Sequence, residues 1–184
     1  MPGFSLFKFS DPIGIGLTDL SRVFKQNCWL DKYSFAVNQT DKTFYCSLVY
    51  PGYHYSSWED ERFSYHLDGL LFDYPGELTK TFLRKFANKY FNDKDSAVIR
   101  EFFKTIDAEF VLAITNLETG DIIVINDVLG RLPIYIYQTK NDLILSRDMS
   151  VITSLVNHGL NQLAMADVLF LGYPIGDKTL YENI

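Results

Sequence analysis

A chain of 184 residues with 47% hydrophobic content can bury the core of one ordinary domain. Its 17 Lys and Arg against 23 Asp and Glu give a net charge of −6. The two signs are interspersed, which speaks against a phosphate-binding nucleic-acid surface and for plain solubility. No run approaches the roughly 18 apolar residues of a membrane helix, and the start lacks a basic region followed by an apolar signal segment. Cys28 and Cys46 lack C-x-x-C spacing, so they suggest a reduced cytoplasm and neither a disulfide scaffold nor a zinc site.

In chain order, Phe4–Phe9 reads as an opening strand. Gly14-Ile15-Gly16 reads as a turn after Pro12, because Asp19 stands where a dinucleotide loop needs its third glycine. Asp19–Phe24 predicts a short helix with Thr18 as N-cap. Tyr33–Val37 and Thr43–Tyr50 predict a strand pair turned at Asn38–Asp41. Cys46 lies in the second of these, and both cysteines read as structural. Trp58–Arg62 reads as an exposed acidic loop, and a β segment precedes Asp68-Gly69-Leu70-Leu71-Phe72.

Phe82, Leu83, Phe86, Ala87, Tyr90 and Phe91 recur at helical spacing, as do Val98, Ile99, Phe102, Phe103 and Ile106. Asp95 heads the second helix as an N-cap. Four short apolar runs follow: Phe110–Ile114, Ile122–Val124, Ile134–Ile136 and Leu143–Leu145. Thr119-Gly120, Gly130 and Lys140-Asn141-Asp142 punctuate them as an antiparallel meander requires. Met149–Leu171 predicts two helices, separated by His158-Gly159 as a C-terminal stop. The expectation is an α+β chain forming a single domain over 1–184, and 15 Phe and 12 Tyr suit its sheet faces.

Asp127-Val-Leu-Gly130-Arg-Leu-Pro133-Ile-Tyr135, with Phe110 before it and Ser146 after, resembles the R-D-x-x-G-x-x-P-L-Y-Y segment of the glutaminase domain of asparagine synthetases. That domain is a class II glutamine amidotransferase with the N-terminal nucleophile hydrolase fold. The resemblance implies four αββα layers with two mainly antiparallel sheets. It also implies a nucleophilic cysteine directly after the initiator methionine, with its own α-amino group as base. Here Pro2 stands at that position, followed by Gly3.

The family's N-G-E segment supplies oxyanion hydrogen bonds and aligns with Asp68-Gly69-Leu70. Gly69 is kept, but an ionised aspartate repels an oxyanion that a donor would stabilise by ~3 kcal/mol. The family aspartate that holds the substrate α-amino group aligns with Asp95, which a helix cap explains equally. The arginine expected near Cys46–Pro51 is absent. Pro2, Asp68, Gly69 and Asp95 therefore form a remnant pocket without catalytic residues. Asp127, Gly130 and Pro133 are assigned to shaping a turn. His54, His66 and His158 show no metal-ligand spacing and read as ordinary surface or packing residues. No metal is expected.

Lys178–Ile184 resembles the family's K-T-x-x-x-x-I, which precedes a linker into the synthetase domain; the S-G-G-x-D-S loop of that domain is not in this sequence. The reading that follows is a degenerate, non-catalytic glutaminase-like N-terminal domain of an asparagine-synthetase-like ATP-dependent ligase. Its partner would be the synthetase domain, and ATP and Mg would bind only there. Neither nucleic acid nor membrane is a partner, homo-oligomerisation is compatible, and the compartment would be the cytoplasm. The alternative is a stand-alone interaction module on the same fold. A third reading makes Pro2 a catalytic secondary amine, as in tautomerases.

Overall fold

A computed structural model describes residues 2–9, 17–26, 31–40 and 43–184, side chains at 17–19 and 40 excepted. Gly14–Gly16 and Cys28 lie outside the described residues. The described chain is α+β, with two antiparallel sheets of five and four strands and five helices. Contacts divide it into two compact units, one of Met1–Pro51 with Ile134–Ile184 and one of Gly52–Pro133.

The first unit holds β1 (Gly3–Phe9), α1 (Leu17–Gln26), β2 (Ser34–Thr40) and β3 (Thr43–Val49) from the first half of the chain. The order of its sheet is β2-β3-β1-β9-β8, so both chain halves meet at β1. Gly3 faces Leu48 on one side, and Ser5 faces Ser146 on the other. Phe7, Phe9, Cys46, Leu48 and Ile144 pack with Leu20, Val23 and Phe24 of α1. Because α1 begins at Leu17, Thr18 lies inside its first turn and does not precede it. The β2–β3 pairing runs on to Thr40 opposite Thr43, so Asn38 and Gln39 are strand and not turn.

The second unit holds β4 (Tyr55–Glu59), β5 (Phe63–Leu71), α2 (Glu77–Asp93), α3 (Ser96–Lys104), β6 (Ala108–Asn116) and β7 (Ile122–Asn126). Its sheet order is β4-β5-β6-β7. Alternation gives β5 two characters: Phe63, Tyr65 and Leu67 join Phe110, Leu112 and Ile114 of β6 against the helices. Leu83, Phe86, Ala87 and Phe91 form the buried stripe of α2, at the spacing a 3.6-residue period demands. Phe102 of α3 closes the layer, with rings 4.3 Å from Phe86 and 6.0 Å from Phe110.

Three further expectations are corrected. Trp58 and Glu59 belong to β4, and Trp58 stacks on Tyr65 at 4.9 Å, so only the bend after them is loop. Asp60 shapes that bend: its carboxylate accepts from the Arg62 and Phe63 amides, the Tyr65 hydroxyl and Arg84. The run 106–148 is not one meander. β6 and β7 complete the four-stranded sheet, whereas β8 (Tyr135–Gln138) and β9 (Asp142–Ser146) belong to the five-stranded one. Finally, α4 (Met149–Thr153) stops five residues before His158, and Gly159 instead accepts from the Glu182 amide. α5 (Gln162–Leu171) then ends on Gly172, at φ 85°.

Among the described residues no helix is long and apolar enough to cross a membrane.

Candidate functional site

The face of β5 turned away from α2 and α3 carries Ser64, His66 and Asp68 at every second position, all buried. Three polar groups in one buried row need partners, because an unpaired one costs roughly 1–3 kcal/mol. β4 supplies Tyr55, which pairs across from Asp68 on that face, and Tyr53 lies just before the strand. The Tyr53 hydroxyl donates to Asp68 Oδ1 at 2.5 Å, a short bond that a carboxylate acceptor strengthens. The Tyr55 hydroxyl lies 2.8 Å from His66 Nδ1, and Ser64 Oγ lies 3.5 Å from Nε2.

Burial pushes the His66 pKa down from 6.5 to about 3, so the ring is neutral at physiological pH. Ser64, His66 and Asp68 share a strand face without forming a nucleophilic triad. Tyr55 is the group at Nδ1, the contact to Ser64 is at the limit of hydrogen bonding, and the hydroxyl of Ser64 is closed to substrate by burial. His66 was read from the sequence as an ordinary histidine. The signal available was the period-2 row Ser64-x-His66-x-Asp68 inside an otherwise apolar strand.

Gly69 adopts φ +102°, and a Cβ there would stand 2.0 Å from the Glu109 carbonyl oxygen of the neighbouring strand. Only glycine permits this approach of β5 to β6. Its own N–H donates to the His54 carbonyl at 2.7 Å. Asp68 and Gly69 thus sit side by side, Asp68 Oδ1 bonded to Tyr53 and the Gly69 amide to the backbone of His54. At Oδ1 the carboxyl group of Asp68 accepts from Tyr53, so that atom offers no donor.

Asp95 is not brought to this pair. Its carboxylate accepts from the Ala97 amide at 2.8 Å as the N-cap of α3, and the residue is exposed. The neighbouring Lys94 reaches Asp121, beyond the Asn116 end of β6, whereas Asp68 pairs with Val111. Five strand residues, or about 17 Å, separate those points. Asp95 also heads a helix on the Phe110 face, opposite to the Asp68 side chain. Of the four predicted pocket residues only Asp68 and Gly69 are adjacent within a unit. Pro2 belongs to the other unit, half-buried immediately before β1.

Asp127 accepts from the Leu129 amide through Oδ1 at 3.0 Å, and its carbonyl accepts from the Gly130 amide. Arg131 ties the same turn to the Ala108 carbonyl at 2.7 Å. The turn role expected of Asp127 and Gly130 is what the geometry shows. Cys46 is fully buried, and burial raises its thiol pKa to about 12, which leaves almost no thiolate at neutral pH. A groove of about 500 Å³ adjoins the Asp68 end of β5, lined among others by Tyr53, Tyr55, Trp58, Phe72 and Lys80. Among the described residues no group of His, Cys, Asp and Glu is arranged to hold a metal ion.

No protein-family model matches the chain, and no curated protein matches it.

Proposed function

We propose that this chain is a degenerate glutaminase-like domain of an asparagine-synthetase-like, ATP-dependent amide-forming enzyme, one that no longer releases ammonia from glutamine. The state of the Asp68-Gly69 pair carries the reading. In the glutaminase family the corresponding asparagine and glycine donate to the oxyanion. Here the first position is a carboxylate held by Tyr53, and the N–H of the second is spent on the His54 carbonyl. A transition state placed there would meet an acceptor oxygen and a committed amide where it needs donors. Pro2, which has no side-chain nucleophile, is consistent with the same loss.

The architecture supports the fold assignment. Helices α2 and α3 cover one face of an antiparallel four-stranded sheet, and α1 covers one face of an antiparallel five-stranded sheet. Those are the two α/β halves that an αββα stack requires. Under this reading the amide-forming chemistry, with ATP and Mg, belongs to a synthetase domain, and the present domain supports it.

The test is ammonia release from glutamine. The chain is expected to give no rate above the buffer blank, and Pro2→Cys is expected to leave it there because the oxyanion positions stay occupied. Turnover by the unmodified chain that persists through repurification sinks the proposal. A coding sequence that continues past Ile184 into an S-G-G-x-D-S motif supports the ligase assignment, and one that stops there favours a binding module.

A further inference from the structure

Asp127 uses one carboxylate oxygen in its own turn and leaves the other unspent. Oδ1 accepts from the Leu129 amide and, at 3.5 Å, from the Arg131 amide and guanidinium. Oδ2 is buried without a hydrogen-bond partner among the described residues, on a side chain only 3% exposed. A buried acceptor that no donor reaches is costly, so such an atom calls for an occupant beside it.

Strand register places that side chain. The Asp127 amide donates to the Phe110 carbonyl at 2.9 Å, one step beyond the Val111–Asn126 pair of β6 and β7. Asp127 therefore stands opposite Phe110 and shares its face, where Phe110 packs against Phe102 and Phe103 of α3. A cavity of about 180 Å³ lies there, lined by Asp127 with Phe103, Ile106, Phe110, Val128 and Leu129 among others. Val128 and Leu129 are each 76% exposed and form its mouth. A closed apolar cavity of about 150 Å³ is enough to hold benzene.

Charge sets the sign of the occupant. Arg131 pairs with both Asp127 and Glu109, and Asp107 also lines the cavity, so one guanidinium answers three carboxylates. An anion would be repelled. The described residues arrange no group of His, Cys, Asp and Glu for a metal ion, and the walls are mostly apolar. Those walls suit an organic cation, whose charge an aromatic ring also attracts.

We infer that this cavity is a binding site for a small primary amine, whose ammonium group donates to Asp127 Oδ2 and whose apolar stem, about the size of a benzene ring, lies along Phe103 and Phe110. The inference is independent of the glutaminase reading, since none of these residues belongs to the Asp68-Gly69 pair.

Methyl-resolved NMR titrations with benzylamine and benzyl alcohol at neutral pH test it. The two probes share a ring and a stem and differ in whether the donor carries charge. Benzylamine is expected to shift the Ile106, Val128 and Leu129 methyl signals saturably. Benzyl alcohol is expected to bind roughly tenfold or more weakly, the margin of a charged hydrogen bond over a neutral one. Asp127→Asn keeps an oxygen for the Leu129 amide and puts a donor in place of Oδ2. It is expected to weaken benzylamine by at least as much, with circular dichroism verifying its fold. Absence of a saturable shift at these methyls overturns the inference. Equal binding of the alcohol does so too, by leaving Oδ2 to a water, as does unchanged benzylamine affinity in folded Asp127→Asn. The comparison of the two probes on the wild-type chain decides without any variant.

Discussion

The two faces of strand β5 are built from alternate residues of one nine-residue segment and reach burial by different physics. On one face Phe63, Tyr65 and Leu67 are held by packing with α2, α3 and β6, where each contact is weak and the sum is large. On the other, Ser64, His66 and Asp68 are as deeply buried, and what makes their burial tolerable is partners at hydrogen-bond distance. The apolar face tolerates a change of shape at a graded cost. The polar face is sensitive to the protonation state of a single ring. That difference reaches the Asp68-Gly69 pair, where Asp68 Oδ1 is bonded to Tyr53 and the Gly69 amide to His54.

Three measurements sharpen the comparison. The largest effect is expected where both faces depend on the same backbone. Gly69→Ala places a methyl against the Glu109 carbonyl at a φ that alanine rarely adopts. A loss on the order of 4–5 kcal/mol or more, at the exceptional end of single substitutions, is expected in urea unfolding. A loss below about 1 kcal/mol would show that β5 and β6 can separate there without harm.

Next comes the apolar face. Phe110→Ala removes a fully buried ring next to Phe102 and Phe103 and is expected to cost about 3–5 kcal/mol. The loss should be the same at pH 7 and pH 5, since no ionisable group is involved. A pH-dependent loss would mean that the two faces are coupled.

The polar face should respond to acid. The folded-state pKa of His66 is about 3, below its ordinary 6.5, so between those values the unfolded chain takes up a proton that the folded chain refuses. The stability from this group is whole above pH 6.5 and falls as pH drops toward 3. Between pH 7 and pH 4 the loss is expected to be about 3 kcal/mol. His66→Gln is expected to flatten that part of the stability curve, whatever its effect at pH 7. A slope unchanged by the substitution would assign the acid sensitivity to other groups.

Much of the local structure was legible in the sequence. The spacing of Leu83, Phe86, Ala87 and Phe91 set α2, Asp95 announced α3, and the Asp127–Gly130 turn followed from its residue types. These features depend on periods and hydrogen bonds within a few residues, which composition and order specify directly. What remained hidden was long-range. The four apolar runs after Ile106 look alike, yet β6 pairs with β5 and carries β7 on its other edge, whereas β9 pairs with β1 and carries β8 on its other edge. A strand's own alternation sets its faces but not its partner.

The site divides in the same way. Glycine at 69, aspartate at 68 and proline at 2 could be read off at once. The sequence by itself determined which atoms are available: a carboxyl group at position 68, no side chain at 69, and no side-chain nucleophile at position 2. Only the tertiary structure decided where those atoms are directed. It gave Asp68 to Tyr53 and the Gly69 amide to His54, buried His66 beside Tyr55, and left Asp95 capping a helix on the far face. Partners such as Tyr55 and His66 are brought together by strand register, and register is set by the whole sheet and not by either residue alone.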